Sequence, residues 1–283
     1  MSPADPSAVQ AQMRDRWQRG AAGWGRRADA VQEMGLPVSV WMIDQLELQA
    51  GQRVLELACG PGDTGFLAAE QVKPGGIVIE TDASEPMLGV AKGRARDLGA
   101  TNVEFRRMEL EWLDFPTASI DAILCRWGLM FVLDPGSSLT EMRRVLKPGG
   151  RLSLAVWDRP ELNPWATIPT RALVELGHAE PPDPSVPGMF SLADPERLKE
   201  LLESAGLTDV VVEALELDRN DRGVDEYIKA TLDLSAPFAE VRDSLSAEQW
   251  REVEQRVAEL AAPFLSGGRL RFPTRTLVAS ASA

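Results

Sequence analysis

Residues 53–65 read RVLELACGPGDTG, an apolar run closed by Gly60, Gly62 and Gly65 at G-x-G-x-x-G spacing. A short apolar run that stops at glycines marks a buried strand, and the stretch that follows, GDTGFLAAEQV, opens a helix. Small residues in such a turn let a ligand come close to the backbone, and the start of the next helix offers free N–H groups. The loop by itself leaves the ligand open. It suits the pyrophosphate of a dinucleotide, and equally a nucleoside that carries a methionine portion.

The same rhythm continues along the chain. GIVIET (76–81) reads as a second strand, and Ser84 caps a helix, EPMLGVAKGRARDLG, that Gly99 ends. VEFRRM is a third strand and IDAILCRW (120–127) a fourth. SSLTEMRRVLKPGG is a helix stopped at Pro148-Gly149-Gly150, and RLSLAVW (151–157) is a fifth strand. Asp194 and Pro195 start ERLKELLESAG, while DVVVEALEL and RTLVASA are late strands. Strands alternating with helices predict an α/β fold with a doubly wound parallel sheet.

Three segments stand outside this alternation. Residues 1–48 are predicted to be helical, with Trp17, Trp24 and Trp41 among Ala, Arg and Gln, and to form an N-terminal lid that moves at Gly20, Gly23 and Gly25. The main domain then runs over 49–283. Within it, the Pro-rich 158–192 and the helical 223–266 are expected as insertions capping an acceptor site. In 223–266, Trp250, Val253, Val257, Leu260 and Phe264 share one helical face, and Ser246 with Gln249 forms a capping box.

The chain has 283 residues with 43 acidic against 30 basic, a net charge of −13. Basic residues occur as short pairs, not as a patch, so no nucleic-acid partner is expected. Cys59 and Cys125 lie in apolar runs without a C-x-x-C pair, so neither a metal site nor a disulfide framework is expected. The first residues lack the pattern of a secretory signal, and no stretch is apolar enough to span a membrane. The expectation is a soluble cytoplasmic protein with a small-molecule partner, a homodimer being allowed.

Acidic residues discriminate between the two ligands. Glu56 sits inside the apolar first strand, where a carboxylate is costly to bury unless paired. A pyrophosphate has no use for it, whereas an ammonium and a sulfonium do; capping of loop N–H groups would suit the same site. Asp82 closes the second strand, twenty residues beyond Gly62, where it can accept both hydroxyls of an adenosine ribose in either ligand. With its partners on the ligand, its removal is expected to leave ligand-free stability unchanged. Glu109 follows the third strand, placed to accept from an adenine amino group, and Leu110 can offer its N–H to the ring.

VLELACGPGDTG, IETDASEPML, MELEWLDFPTASIDAILC and EMRRVLKPGGRLSLAVW resemble, in order and spacing, the successive motifs of class I S-adenosylmethionine-dependent methyltransferases. The resemblance covers roughly residues 50 to 157. It implies a seven-stranded Rossmann-like sheet with the last strand antiparallel, and S-adenosylmethionine over the carboxyl ends of the strands. It implies further that Gly60 and Gly62 line the loop, Asp82 holds ribose, Glu109 and Leu110 hold adenine, and Cys125 and Arg126 border the methionine end. Ala58, Pro61, Ala83 and Met87 fall in the same motifs and belong with the cofactor set. Glu109 stands where Asp is usual, and Glu80-Thr81 precede Asp82 where a small residue is common. The branch most similar acts on small molecules, including quinone-ring and natural-product methyltransferases. No N/D-P-P-Y motif is present.

Acceptor chemistry has few candidates. The chain holds one histidine, His178, and one tyrosine, Tyr227, against eight tryptophans. A base is needed only if the acceptor must lose a proton, and His178 is the candidate. Trp24 and Trp127 are expected to face a small apolar or aromatic acceptor, methylated at oxygen or carbon. The rivals are an NAD(P)-dependent oxidoreductase using the same glycine loop and a non-catalytic S-adenosylmethionine-binding protein.

Overall fold

Val54 and Leu55 of β1 (Arg53–Glu56) are fully buried because both faces of the strand are covered, and in this computed structural model β1 lies inside the sheet. The structure describes residues 6–183 and 186–283; the first five residues of the expected N-terminal helix and residues 184 and 185 of the 158–192 insertion lie outside them. β1 pairs in parallel with β2 (Ile77–Asp82) and β4 (Ile120–Arg126), β2 with β3 (Val103–Arg107), and β4 with β5 (Leu146–Trp157). Next come β6 (Thr208–Asp221), the two-residue β7 (Leu265–Ser266) and β8 (Arg269–Ser282). The order is β3-β2-β1-β4-β5-β8-β6, with β8 antiparallel to both neighbours. The predicted α/β architecture and antiparallel last strand are therefore found; β7 only adds a short return onto β8.

The helices between strands start where the sequence supplies caps. α2 (Asp63–Gln71) follows the glycine loop. Ser84 accepts from the Met87 N–H at the head of α3 (Glu85–Leu98), which Gly99 ends at φ 67°. Asp134 caps α4 (Pro135–Val145).

α5 (Pro164–Glu175) occupies the 158–192 insertion, and Asp194 caps α6 (Pro195–Ser204). α7 (Val224–Leu234), α8 (Ala236–Ser244) and α9 (Ala247–Ala261) occupy the later one. The Ser246–Gln249 capping box forms, and Val253 and Val257 are fully buried. These helices pack with α5 into a second apolar cluster that includes Tyr227, Phe238, Leu270 and Phe272.

α1 (Pro6–Leu46) is one continuous helix, and here the expected glycine hinge is corrected. A Cβ at Gly23 would stand 1.9 Å from the Asp233 carbonyl oxygen of α7, and one at Gly35 would stand 1.8 Å from Arg126 Nη1. Gly23 is thus a point of close approach between helices, where a side chain would have to push α1 away. Arg27 pairs with Asp233 at 2.7 Å and with Glu226, and Trp24 Nε1 donates to the Leu234 carbonyl at 3.2 Å. Further along, Val38, Met42 and Leu46 enter the main core. No described helix is long and apolar enough to cross a membrane.

Candidate active site

A cavity lies over the carboxyl ends of β1, β2 and β4, roofed by the N-terminal half of α1. It encloses about 1100 Å³ with its open mouth. From the predicted cofactor set it brings together Glu56, Ala58, Gly60 and Pro61 of the first loop, and Asp82, Ala83 and Met87 after the second strand. Glu109, Leu110 and Arg126 complete that side.

Two expected cofactor residues do not line it. Gly62 instead sits at φ 89° at the head of α2, where a Cβ would meet Phe66 and Glu80 Oε2 at 2.5 and 2.6 Å; its role is to shape the turn. Cys125 is fully buried beneath the strand end, and burial pushes its thiol up to about 12. It is a packing residue.

Glu56 is 2 % exposed, with Oε2 making no hydrogen bond to a protein donor. Burial pushes its carboxyl up to about 8, against the pull of the Arg126 guanidinium. Asp82 has protein partners that the sequence reading did not foresee: Oδ2 accepts from the Gly60 N–H at 3.1 Å and Oδ1 from the Ser84 N–H at 2.9 Å. Burial outweighs these bonds and raises it to about 6. Each oxygen keeps a second lone pair for a ligand. Glu109 Oε1 accepts from Arg14 Nη1 of α1 at 2.8 Å, so the expected adenine partner is held by the roof.

Trp24 and Trp127, the expected acceptor-facing residues, both line the cavity. Trp127 adopts φ 58°, an uncommon backbone for a bulky residue. Its indole donates to Thr276 Oγ1 at 3.0 Å, its ring stacks on Trp157 at 4.3 Å, and the Arg126 guanidinium lies over it at 4.8 Å. The sequence reading missed Met13, Arg14 and Val31 of α1 as lining residues, and Phe131 beyond β4. A signal was present. Met13, Trp17, Trp24 and Val31 are spaced by four, seven and seven residues, one face of a helix.

His178 is corrected: it does not line the cavity. It lies in the turn after α5, its N–H donating to the Leu173 carbonyl at 2.8 Å, beside the second apolar cluster. Tyr227 is fully buried and donates its hydroxyl to the Trp165 carbonyl at 2.5 Å; burial raises its phenol further. Among the described residues, neither 158–192 nor 223–266 lines this cavity, which does not favour their expected role as the acceptor cap. α7 and α8 of the later insertion brace α1, and α1 forms the wall.

A family model described as a methyltransferase domain matches residues 48–206, more than half of the chain. A ubiquinone/menaquinone biosynthesis C-methyltransferase UbiE of Pasteurella multocida is 38% identical over 127 residues, 44% of this chain and 47% of that protein. One from Hahella chejuensis is 31% identical over 175 residues, 58% of this chain and 70% of that protein. The chain thus spans about half the length of the first of these relatives. In fold it resembles the YcgJ protein of Bacillus subtilis, with a TM-score of 0.58 and 22% identity over 86% of this chain and 97% of that one. These likenesses, with a carboxylate and not a phosphate cradle facing the glycine loop, set the dinucleotide reading aside: the chain belongs to the class I S-adenosylmethionine-dependent methyltransferases.

Proposed function

We propose that the protein methylates a small, flat, apolar acceptor at a carbon or oxygen that reaches the site already ionised. One observation carries this reading. The acceptor side of the cavity is walled by Met13, Trp17, Trp24, Val31, Trp127 and Phe131, and among the described residues no histidine, tyrosine or lysine lines any part of it. Trp17 meets Trp24 and Phe131 edge-on at 5.9 and 5.0 Å, a surface suited to an aromatic ring. A neutral amine or an un-ionised phenol would have to lose its proton against a wall whose six side chains carry no titratable group, the carboxyls of the cavity lying on the glycine-loop side.

The chain's own residues fit S-adenosylmethionine, which when bound supplies an electrophilic methyl carbon on a sulfonium. Glu56 offers a carboxylate at the loop, and Asp82, braced by two backbone N–H groups, accepts from ribose hydroxyls. Glu109 and Leu110 hold adenine, with Arg14 ceding part of its contact. α1 excludes water by roofing the site, and alignment then supplies much of the rate. The names of the C-methyltransferase relatives favour carbon.

The test is turnover with S-adenosylmethionine on a panel of acidic hydroxyquinones, 1,3-diketones, catechols and amines, the products being read by mass spectrometry and NMR. Methylation confined to acidic carbon or oxygen acids is expected. Turnover on amines alone would overturn the reading.

A further inference from the structure

Below the glycine loop lies a buried charge cluster that the methyl-transfer reading does not use. Glu56 of β1 and Glu80 of β2 are register partners on adjacent strands. Their carboxyls converge on one point: a Cβ at Gly65 would stand 2.3 Å from Glu56 Oε2 and 2.5 Å from Glu80 Oε1. This explains the third glycine of the motif by its neighbours, since any side chain there would displace both acids. Glu80 is 0 % exposed and neither of its oxygens, nor Glu56 Oε2, makes a hydrogen bond to a protein N–H or O–H, though the Gly65 N–H faces the Glu56 carboxyl. Only the Cys59 thiol, a weak donor, faces Glu80.

The nearby guanidiniums are tied first to Asp63, while Arg94 Nε and Nη1 and Arg126 Nη1 are buried without a hydrogen-bond partner. Arg94 Nη2 of α3 and Arg126 Nη2 of β4 each stand 2.9 Å from a different oxygen of Asp63 on α2. Asp82 at the end of β2 adds another carboxyl, and Asp29 of α1 lies 3.7 Å from Arg94. Two guanidiniums thus face Glu56, Asp63 and Glu80, with Asp82 and Asp29 at the margin. Two carboxyls held this close in a dry site do not both ionise, and they titrate as a pair. A carboxyl O–H donated to the facing carboxylate would satisfy both orphaned groups at once. Burial pushes both acids in that direction.

We propose that Glu80 is a positioning residue that shares one proton with Glu56 in the ligand-free protein, and that this proton passes to solvent when a ligand ammonium group enters beside Glu56. Glu56 is the link, because it lines the cavity while turning Oε2 inward toward Glu80. The inference rests on the cofactor assignment and deepens it: binding of the amino-acid end of the cofactor becomes coupled to pH through a residue outside the cavity. Glu80 sets the charge of Glu56. Without it, one like charge that opposes ionisation of Glu56 is gone, and the pull of the Arg126 guanidinium acts against burial with less opposition.

The test is calorimetric titration at neutral pH in buffers of different ionisation enthalpy, which counts the protons released. S-adenosylhomocysteine, which carries the ammonium group, is expected to release close to one proton from the wild-type chain. 5′-Methylthioadenosine, which lacks it, is expected to release none, and Glu80→Gln is expected to bind S-adenosylhomocysteine with almost no release. Equal release from wild type and Glu80→Gln, or equal release by both ligands, would overturn the proposal. A ligand-free measurement decides separately from binding. Wild-type thermal stability should fall as pH rises from the ordinary carboxyl value of 4.5 to about 8, where the folded protein holds a proton that the unfolded chain has lost, and Glu80→Gln should flatten that fall. Parallel curves would also overturn it, whereas failure of either nucleoside to bind would strike at the cofactor assignment itself.

Discussion

Asp82 shows how a side chain proposed to bind ligand can also be structural. Its carboxylate ties the glycine loop to the start of α3 through the Gly60 and Ser84 N–H groups. Asp82→Ala leaves both donors without this partner, so ligand-free stability should fall by about 1–3 kcal/mol, read by urea unfolding. Affinity for S-adenosylhomocysteine should fall as well, by about tenfold to a hundredfold. Its titration has a definite sign. Burial raises the folded carboxyl from 3.8 to about 6, so its contribution is complete below the unfolded value and is lost as pH rises through 6. Asp82→Ala should therefore remove part of the decline in thermal stability between those two values. His178 makes the opposite case. It lies outside the cavity, and His178→Gln should change kcat by less than about tenfold, well short of the usual general-base contribution. A hundredfold loss would restore it as the base.

At the scale of elements, α1 is held differently along its length. Val38, Met42 and Leu46 are buried in the core, and the middle is pinned by Gly23 against Asp233 and by Arg27 on α7. The first turns are mostly exposed, and there the Arg14–Glu109 pair, with side chains 36% and 44% exposed, contributes no more than about 1 kcal/mol. Opening of this roof is expected in the exposed turns up to Gly20, not at Gly23. Trypsin should cut after Arg14, Arg16 or Arg19 and spare Arg27, and S-adenosylhomocysteine should slow those cuts. Cleavage at Arg27 as fast as at Arg14 would show a different hinge. Gly23→Ala should cost about 1–3 kcal/mol through overpacking against α7, measured by chemical denaturation.

Across the whole molecule, β8 joins two apolar bodies. Leu277 and Val278 sit in the sheet core, while Leu270 and Phe272 sit in the cluster built by α5, α7 and α9. Because one strand serves both, the chain should unfold in a single transition, with tryptophan fluorescence and far-UV circular dichroism coincident. Phe272→Ala should lower stability by about 3–5 kcal/mol and shift that transition without splitting it. Two resolved transitions would show that the cap folds independently.

The strand–glycine–helix unit at 53–65 and the caps at Ser84, Asp134 and Asp194 are local, and their consequences were legible in sequence: short-range periodicity and hydrogen bonding decide them. The same holds for the acids at strand ends, because a parallel sheet delivers Glu56 and Asp82 to one rim whatever else surrounds them. What was not legible depended on elements distant in the chain. His178 and Tyr227 carry suggestive chemistry, but which side of the sheet they reach is fixed by the packing of α5 on α9. Gly23 reads as a flexible point until Asp233, far along the chain, is brought against it. Likewise, Glu80 reads as one polar residue in a strand, and only strand register sets it beside Glu56 with no cation of its own. Sequence determined which local structures form and which acids reach the rim; the tertiary structure decided their neighbours, because burial and like-charge proximity arise only when separate strands and helices meet.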